Sequence, residues 1–193
     1  MDMQSLNFIV NKILFWALIF MLFLELYNIL FHLGTPNIRT APAIRKRMIE
    51  ILKEDFEAKK DKPYTIVDLG SGNGALTREI AKTFPQAKVV GVEIAKTSVL
   101  WSNWLKRKLG LNNLSYEKMN VFSYDLSKAD AIVMYLLPSM LDSLGKKMHK
   151  ELKPGTLIIS NKFRLGDGWE PENSESVKTL YFHQRDLHIY RNK

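Results

Sequence analysis

The stretch Val67-Asp-Leu-Gly-Ser-Gly-Asn-Gly74 sets Gly70, Gly72 and Gly74 at the point where an apolar run gives way to a helical pattern. Glycines at such a junction let the backbone turn tightly and approach a ligand where a side chain would collide. The helix beyond offers free amide donors at its start. Glu93 follows Gly70 by 23 residues, at the end of the next apolar run, where an acid accepts hydrogen bonds from two ribose hydroxyls. Gly70, Gly72 and Ala75 also satisfy the looser dinucleotide fingerprint G-x-G-x-x-G/A, and the glycines alone are compatible with a plain tight turn.

Three further features narrow the chemistry. Asp68 stands two residues before Gly70; its carboxylate would repel a pyrophosphate but attract a cationic ligand. Asn120, followed by Val121 and Phe122, offers an edge and a face to an adenine. Tyr135-Leu-Leu-Pro138 ends another apolar run, at the edge where open sheets bind ligands. The implied ligand carries a ribose, an adenine and a positive charge without a pyrophosphate, a description that S-adenosyl-L-methionine fits.

The elements that must position these residues alternate. Ile44, Met48, Ile51 and Leu52 recur at helical spacing, with Thr40 as a cap and Pro42 in the first turn. Strand patterns follow at 64–68, 88–94, 115–119, 130–137 and 156–163, separated by helical stripes at Leu76/Ile80/Ala81, Val99/Leu100/Trp104/Leu105 and Met140/Leu141/Leu144/Met148/Leu152. Trp101 and Trp104 read as partly buried helix contacts. Lys146, Lys147, Lys150 and Lys153 read as a solvated helix face. Segment 165–176 is polar and loop-like, and Leu180–His183 and Leu187–Tyr190 are too close for a crossover, so they pair antiparallel as a final hairpin. Alternating strands and helices with short loops predict an α/β fold: a Rossmann-like, mostly parallel seven-stranded sheet with helices on both faces and a C-terminal antiparallel hairpin.

The 193 residues bound the chain to one ordinary domain plus an appendage. The absence of cysteine excludes a disulfide scaffold, a thiolate metal site and a cysteine nucleophile. His32, His149, His183 and His188 lack metal-ligand spacing with carboxylates, so no metal is expected. The net charge of +8 favours anionic partners, and it is uneven: residues 1–34 carry −1, leaving +9 on the remaining 159.

The nearly uncharged head holds the unbroken apolar run Ile13–Leu24, and Phe8–Tyr27 supplies the roughly 20 residues a bilayer crossing needs. Lys12 and Glu25 fall near the ends, where charges cost less. The expected arrangement is a membrane-anchor helix over 1–33, a linker and amphipathic helix over 34–62, and a ligand-binding domain over 63–193. A buried core helix and a cleaved signal peptide, with Ala41-Pro42-Ala43 imitating a cleavage site, are the alternatives for the head. Arg39, Arg45, Lys46 and Arg47 follow the run, which places the body on the cytoplasmic side or its mitochondrial-matrix equivalent. Whether the head spans the membrane or lies in its interface stays open.

The body resembles the class I S-adenosylmethionine-dependent methyltransferases, with VDLGSGNG as first motif and Gly91-Val-Glu93 as second. More narrowly, it resembles the small membrane-associated protein-lysine methyltransferases of mitochondria, which modify the ATP synthase c subunit or the adenine nucleotide translocase, and their bacterial relatives. Residues 68–74, Glu93 with Val99 and Ser102, Asp130–Pro138, and Phe163, Leu165, Trp169 and Pro171 carry that likeness. Ala95-Lys96 stand where the family often has Asn-Pro, and Arg164 and Gly166 replace two prolines.

The resemblance implies a cofactor set of Asp68, Gly70, Ser71, Gly72, Asn73, Gly74, Glu93, Ile94, Asn120, Val121 and Leu136. Asp68 and the glycine backbone face the methionine end, Glu93 the ribose, Asn120 and Val121 the adenine. Tyr135, Leu137 and Pro138 line the access of the accepting nitrogen; no catalytic base is assigned. The expected activity is methylation of a lysine on a membrane-associated protein. Methylation of a phospholipid headgroup amine and a membrane assembly factor that binds the cofactor without turnover are the alternatives. Nucleic-acid amino-methylation is disfavoured, because Leu136-Leu-Pro-Ser139 replaces the usual Asp/Asn-Pro-Pro-aromatic motif.

Overall fold

The computed structural model describes residues 3–31, 40–59, 61–166, 168–179 and 186–193. The chain divides into two compact units, 1–36 and 37–193.

The first unit is built on one helix, α1 (Met3–Phe31). Its segment Gln4–Tyr27 is long and apolar enough to cross a membrane: 24 residues rise about 36 Å against a hydrocarbon core of about 30 Å. None of that segment is buried within the chain.

The second unit runs α2 (Pro42–Ala58), β1 (Thr65–Leu69), α3 (Ala75–Thr83), β2 (Lys88–Glu93), α4 (Lys96–Lys108), β3 (Leu114–Lys118), β4 (Ala131–Met134), α5 (Pro138–Glu151), β5 (Leu157–Asn161), β6 (Asn173–Ser176) and β7 (Asp186–Arg191). The seven strands form one sheet in the order β3-β2-β1-β4-β5-β7-β6. The first five are parallel; β7 runs antiparallel to β5, and β6 antiparallel to β7. The sheet is thus the expected one.

Strand periodicity divides the core in two. Ile66, Val89, Val133 and Ile159 face one side, where Ile44, Met48 and Leu52 of α2 and Ile80 of α3 cover them. Val67, Leu69, Val90, Val92, Ile132 and Met134 face the other, under Leu141, Leu144 and Met148 of α5. Strands buried on both faces read as continuous apolar runs, which is why they were visible in the sequence.

Two local expectations change. Thr40 is not the cap of α2; Ala41 holds that position without a side-chain bond, and the Thr40 carbonyl instead accepts from Arg45 Nη1 at 2.6 Å. The final hairpin pairs β7 with Asn173–Ser176, inside the segment read as a loop, while Leu180–His183 lies outside the described residues. An edge strand of the sequence NSES, largely exposed on both faces, has no apolar alternation to announce it.

At the opposite end of the sheet from the glycine turn, buried Asp55 of α2 ties three elements together. It accepts from Tyr64, from Lys59 Nζ at 2.9 Å and from Arg191 Nη1 at 2.7 Å. Burial opposes its charge, but these bonds outweigh burial and hold the carboxyl below the usual aspartate range. Asp55→Ala is expected to cost about 2–3 kcal/mol in urea unfolding at neutral pH; Lys59 and Arg191 keep roughly a third of their side chains in water, so the loss stays under that of a fully buried pair. Because the folded pKa is depressed, this contribution is complete above about pH 4 and disappears as the pH falls through the folded value.

Candidate active site

Strand order reverses beside β1, which has β2 on one side and β4 on the other. Ligands of open α/β sheets bind in the crevice outside the carboxyl ends of the strands at such a point. Parallel register brings the sequence-predicted residues to that edge. Leu69 pairs with Val92 and with Met134, so Gly70 follows the ladder beside Glu93 and Tyr135. Glu93 pairs with Lys118, two residues before Asn120.

The glycine turn is fixed from both sides. The amides of Gly70 and Ser71 donate to the Val92 carbonyl at 2.9 and 3.0 Å, and Gly74 N donates to Ser71 O at 2.8 Å. Gly70 and Gly74 have φ of 77° and 72°, in the left-handed region. A Cβ on Gly70 would lie 2.6 Å from Leu136 Cδ2, and one on Gly74 would lie 2.2 Å from the Tyr116 hydroxyl. Both strain and space demand glycine there. Gly74 then opens α3, with the Tyr116 hydroxyl donating to its carbonyl at 3.2 Å and Arg78 Nη1 donating to the Asn73 carbonyl at 2.6 Å.

Asp68, on β1 and 4% exposed, accepts a hydrogen bond from Thr77 Oγ1 at 2.6 Å. Burial pushes its carboxyl up to about 7; the Thr77 bond opposes that rise and the Glu93 charge adds to it. Glu93 closes the turn from the β2 side: Oε2 accepts from Gly72 N and Oε1 from Ala95 N, each at 2.8 Å. A carboxylate has about four acceptor positions, so two remain for hydroxyl donors.

Around this pair, Ile94 is exposed and Val121 is buried in the core. Asn120 Oδ1 accepts from Phe122 N at 3.0 Å, capping the 3-10 turn that carries Val121 and Phe122. Leu136 packs against the α5 side of the core, Leu137 caps α5, and Pro138 is its first residue. Tyr135 stacks on Phe163 beyond β5, with ring centroids 6.3 Å apart.

Thr77 and Tyr116 were not singled out in the sequence. Each is polar at a position of apolar periodicity, and that was their signal. The buried Asn161 at the end of β5 is another such residue; its amide atoms have no hydrogen-bond partner among the described residues.

The residues present suit a cationic nucleoside. The two carboxylates, Asp68 and Glu93, flank a glycine turn that a Cβ at Gly70 would force against Leu136. The buried Ser71 hydroxyl beside the turn has no hydrogen-bond partner among the described residues.

Comparison with known proteins agrees with this geometry. A family model described as the ANTKMT methyltransferase domain matches residues 68–173. A protein-lysine N-methyltransferase of Saccharolobus islandicus (strain REY15A) is 35% identical over 144 residues, covering 74% of this chain and 85% of the relative. A lysine N-methyltransferase of the ATP synthase c subunit, from Xenopus laevis, is 26% identical, covering 84% of this chain and 73% of the relative. Among solved structures, an RNA methyltransferase from Salinibacter ruber in complex with S-adenosyl-L-homocysteine superposes with a TM-score of 0.67 at 25% identity, covering 80% of this chain and 93% of that one. With the fold, the glycine turn and these relatives together, the chain belongs to the ANTKMT methyltransferase-domain family and is an S-adenosylmethionine-dependent methyltransferase of class I.

Proposed function

We propose that the enzyme methylates the ε-amine of a lysine on a membrane-associated protein, with its body held at the bilayer by α1. The observation that carries the site is Glu93: its carboxylate bridges Gly72 and Ala95 at the switch point of the sheet, with buried Asp68 on the other side of the same turn. Relatives named as lysine methyltransferases, including those named for the ATP synthase c subunit, support the acceptor class. The exposed apolar surface of α1 supports membrane attachment.

In this reading Glu93 receives the ribose hydroxyls, and Asp68 with the amides and carbonyls of Gly70, Ser71, Gly72, Asn73 and Gly74 surrounds the charged amino-acid end. Ile94, Asn120, Val121 and Leu136 enclose the adenine. Bound S-adenosylmethionine supplies a methyl group already activated on sulfonium sulfur. The chain's own work is alignment and exclusion of water. Tyr135, Leu137 and Pro138 line the path of the acceptor. Their weakly polar surfaces disfavour an ammonium, so the lysine arrives as the neutral amine that has a lone pair to donate. The proton leaves to solvent before transfer.

The test is transfer of label from tritiated S-adenosylmethionine to membranes of a strain lacking the gene. We expect label in a small integral membrane protein, recovered as methyllysine after hydrolysis, and strongly reduced by deletion of residues 1–33. Label that partitions into organic solvent would assign a lipid headgroup instead. Label released by nuclease would assign a nucleic acid.

A further inference from the structure

Helix α4 presents an unusual outer face. Thr97, Leu100, Trp101, Trp104, Arg107 and Lys108 fall on one side at helical spacing, and all six are exposed. Val99 and Ser102 are buried on the other side. A surface helix ordinarily turns its charged side toward water and its large apolar groups inward. Here Leu100, Trp101 and Trp104 are 60%, 52% and 49% exposed, and the two indole rings stack on each other 5.0 Å apart. The stripe read from sequence at Val99, Leu100, Trp104 and Leu105 is therefore corrected: of these only Val99 is buried, and the helix buries a narrower strip than its apolar content suggests.

The charge around this patch has one sign. Lys96, Lys106, Arg107 and Lys108 lie on α4, and the helix has no carboxylate. The Lys108 ammonium sits 5.2 Å from the Trp104 ring centroid, so the cationic end and the aromatic pair form one surface.

We propose that this face docks on the anionic headgroups of a lipid bilayer, with Trp101, Trp104 and Leu100 entering the headgroup–acyl boundary. Tryptophan prefers that boundary because its ring is apolar and its N–H is polar. Basic side chains beside an apolar face are the chemistry of interfacial helices. An acidic protein face would match the charge as well, but lipid is favoured because the same chain carries a helix able to span a membrane. The face lies outside the methyl-transfer residues, so the inference stands independently of the acceptor. Its consequence is orientation: α1 alone would tether the body, and a second contact fixes which side of it meets the bilayer.

The test uses the full chain with Trp16→Phe, which removes the tryptophan of α1 and leaves Trp101, Trp104 and the buried Trp169. The chain is reconstituted into vesicles with brominated acyl chains, made either of phosphatidylcholine alone or of an equal mixture with phosphatidylglycerol. Emission is expected to fall by about half in the mixed vesicles and to stay near its lipid-free value in phosphatidylcholine. High salt, or the exposed double change Arg107→Glu/Lys108→Glu, should restore it while thermal unfolding is unchanged. Unchanged emission in mixed vesicles would overturn the proposal. So would equal quenching in both lipids that survives the charge reversal, or protection from aqueous quencher that rises with protein concentration in the absence of lipid.

Discussion

Asp68→Asn is expected to weaken S-adenosylmethionine binding about 100-fold at pH 8, as a charge attraction in a dry site is lost, and to abolish the dependence of that binding on pH. Asp68 is buried beside Thr77, and its carboxyl is raised to about 7 by burial. Below that pH the free enzyme holds a proton there. A cationic ligand favours the carboxylate, so binding releases the proton. Affinity in the wild type should therefore climb roughly tenfold per unit as pH rises toward 7, and level off above it. The folding side has the opposite sense. A carboxyl raised in the folded state contributes stability that is complete below about pH 4 and is lost as pH rises through 7; the change is about 4 kcal/mol for the ligand-free chain. Asparagine is neutral throughout and keeps an acceptor for the Thr77 hydroxyl. The variant should thus be more stable than wild type at pH 8 while binding poorly, which separates loss of function from loss of fold. Calorimetry at pH 6, 7 and 8 in two buffers of different ionisation enthalpy measures both affinity and proton release. An unchanged slope in the variant would remove Asp68 from the site.

That pairing of a buried acid with its glycine turn was legible from sequence because it is local: a single residue, Leu69, separates Asp68 from Gly70, and apolar runs on either side declare strand and helix. The parallel strands were legible for the same reason. Burial on both faces leaves runs dominated by Val, Ile and Leu, as in Val89, Val90 and Val92 of β2 and Leu157, Ile158 and Ile159 of β5. What escaped detection depends on contacts across the sheet. Tyr116 reaches Gly74 over 42 positions, and Glu93 reaches Gly72 over 21. Neither contact follows from spacing alone. The β6 edge strand escaped because its Asn-Ser-Glu-Ser sequence carries no apolar alternation: it pairs through backbone and through polar side chains such as Ser174 and Ser176, and such residues read as loop. The outward Leu100 and Trp104 of α4 depart from the stripe read in sequence for a related reason. Periodicity identifies an apolar face, but only the packed structure tells which face is inward.

The long-range contact of Glu93 leads to the second large effect. Glu93→Gln, usually a mild change, should lower kcat/KM for S-adenosylmethionine about 100-fold, chiefly through KM. Both carboxylate oxygens already accept from backbone amides, Gly72 N and Ala95 N, at 2.8 Å. A glutamine has one oxygen, so its NH2 group must face one of those N–H donors, and donor meets donor. Either the glycine turn or the start of α4 is then released. Hydrogen bonds to a charged acceptor contribute roughly 1.5–3 kcal/mol each, and Glu93 is only half-buried, so a loss of about 1–2 kcal/mol in unfolding free energy should accompany the kinetic effect. Stability loss alone would not identify a ribose contact. The distinguishing measurement is a cycle with 2′-deoxy S-adenosylmethionine. If Glu93 receives that hydroxyl, the wild type loses affinity for the deoxy cofactor and the glutamine variant loses little more than it already has. If Glu93 only braces the turn, the two losses add in full, and the ribose must be held by another group.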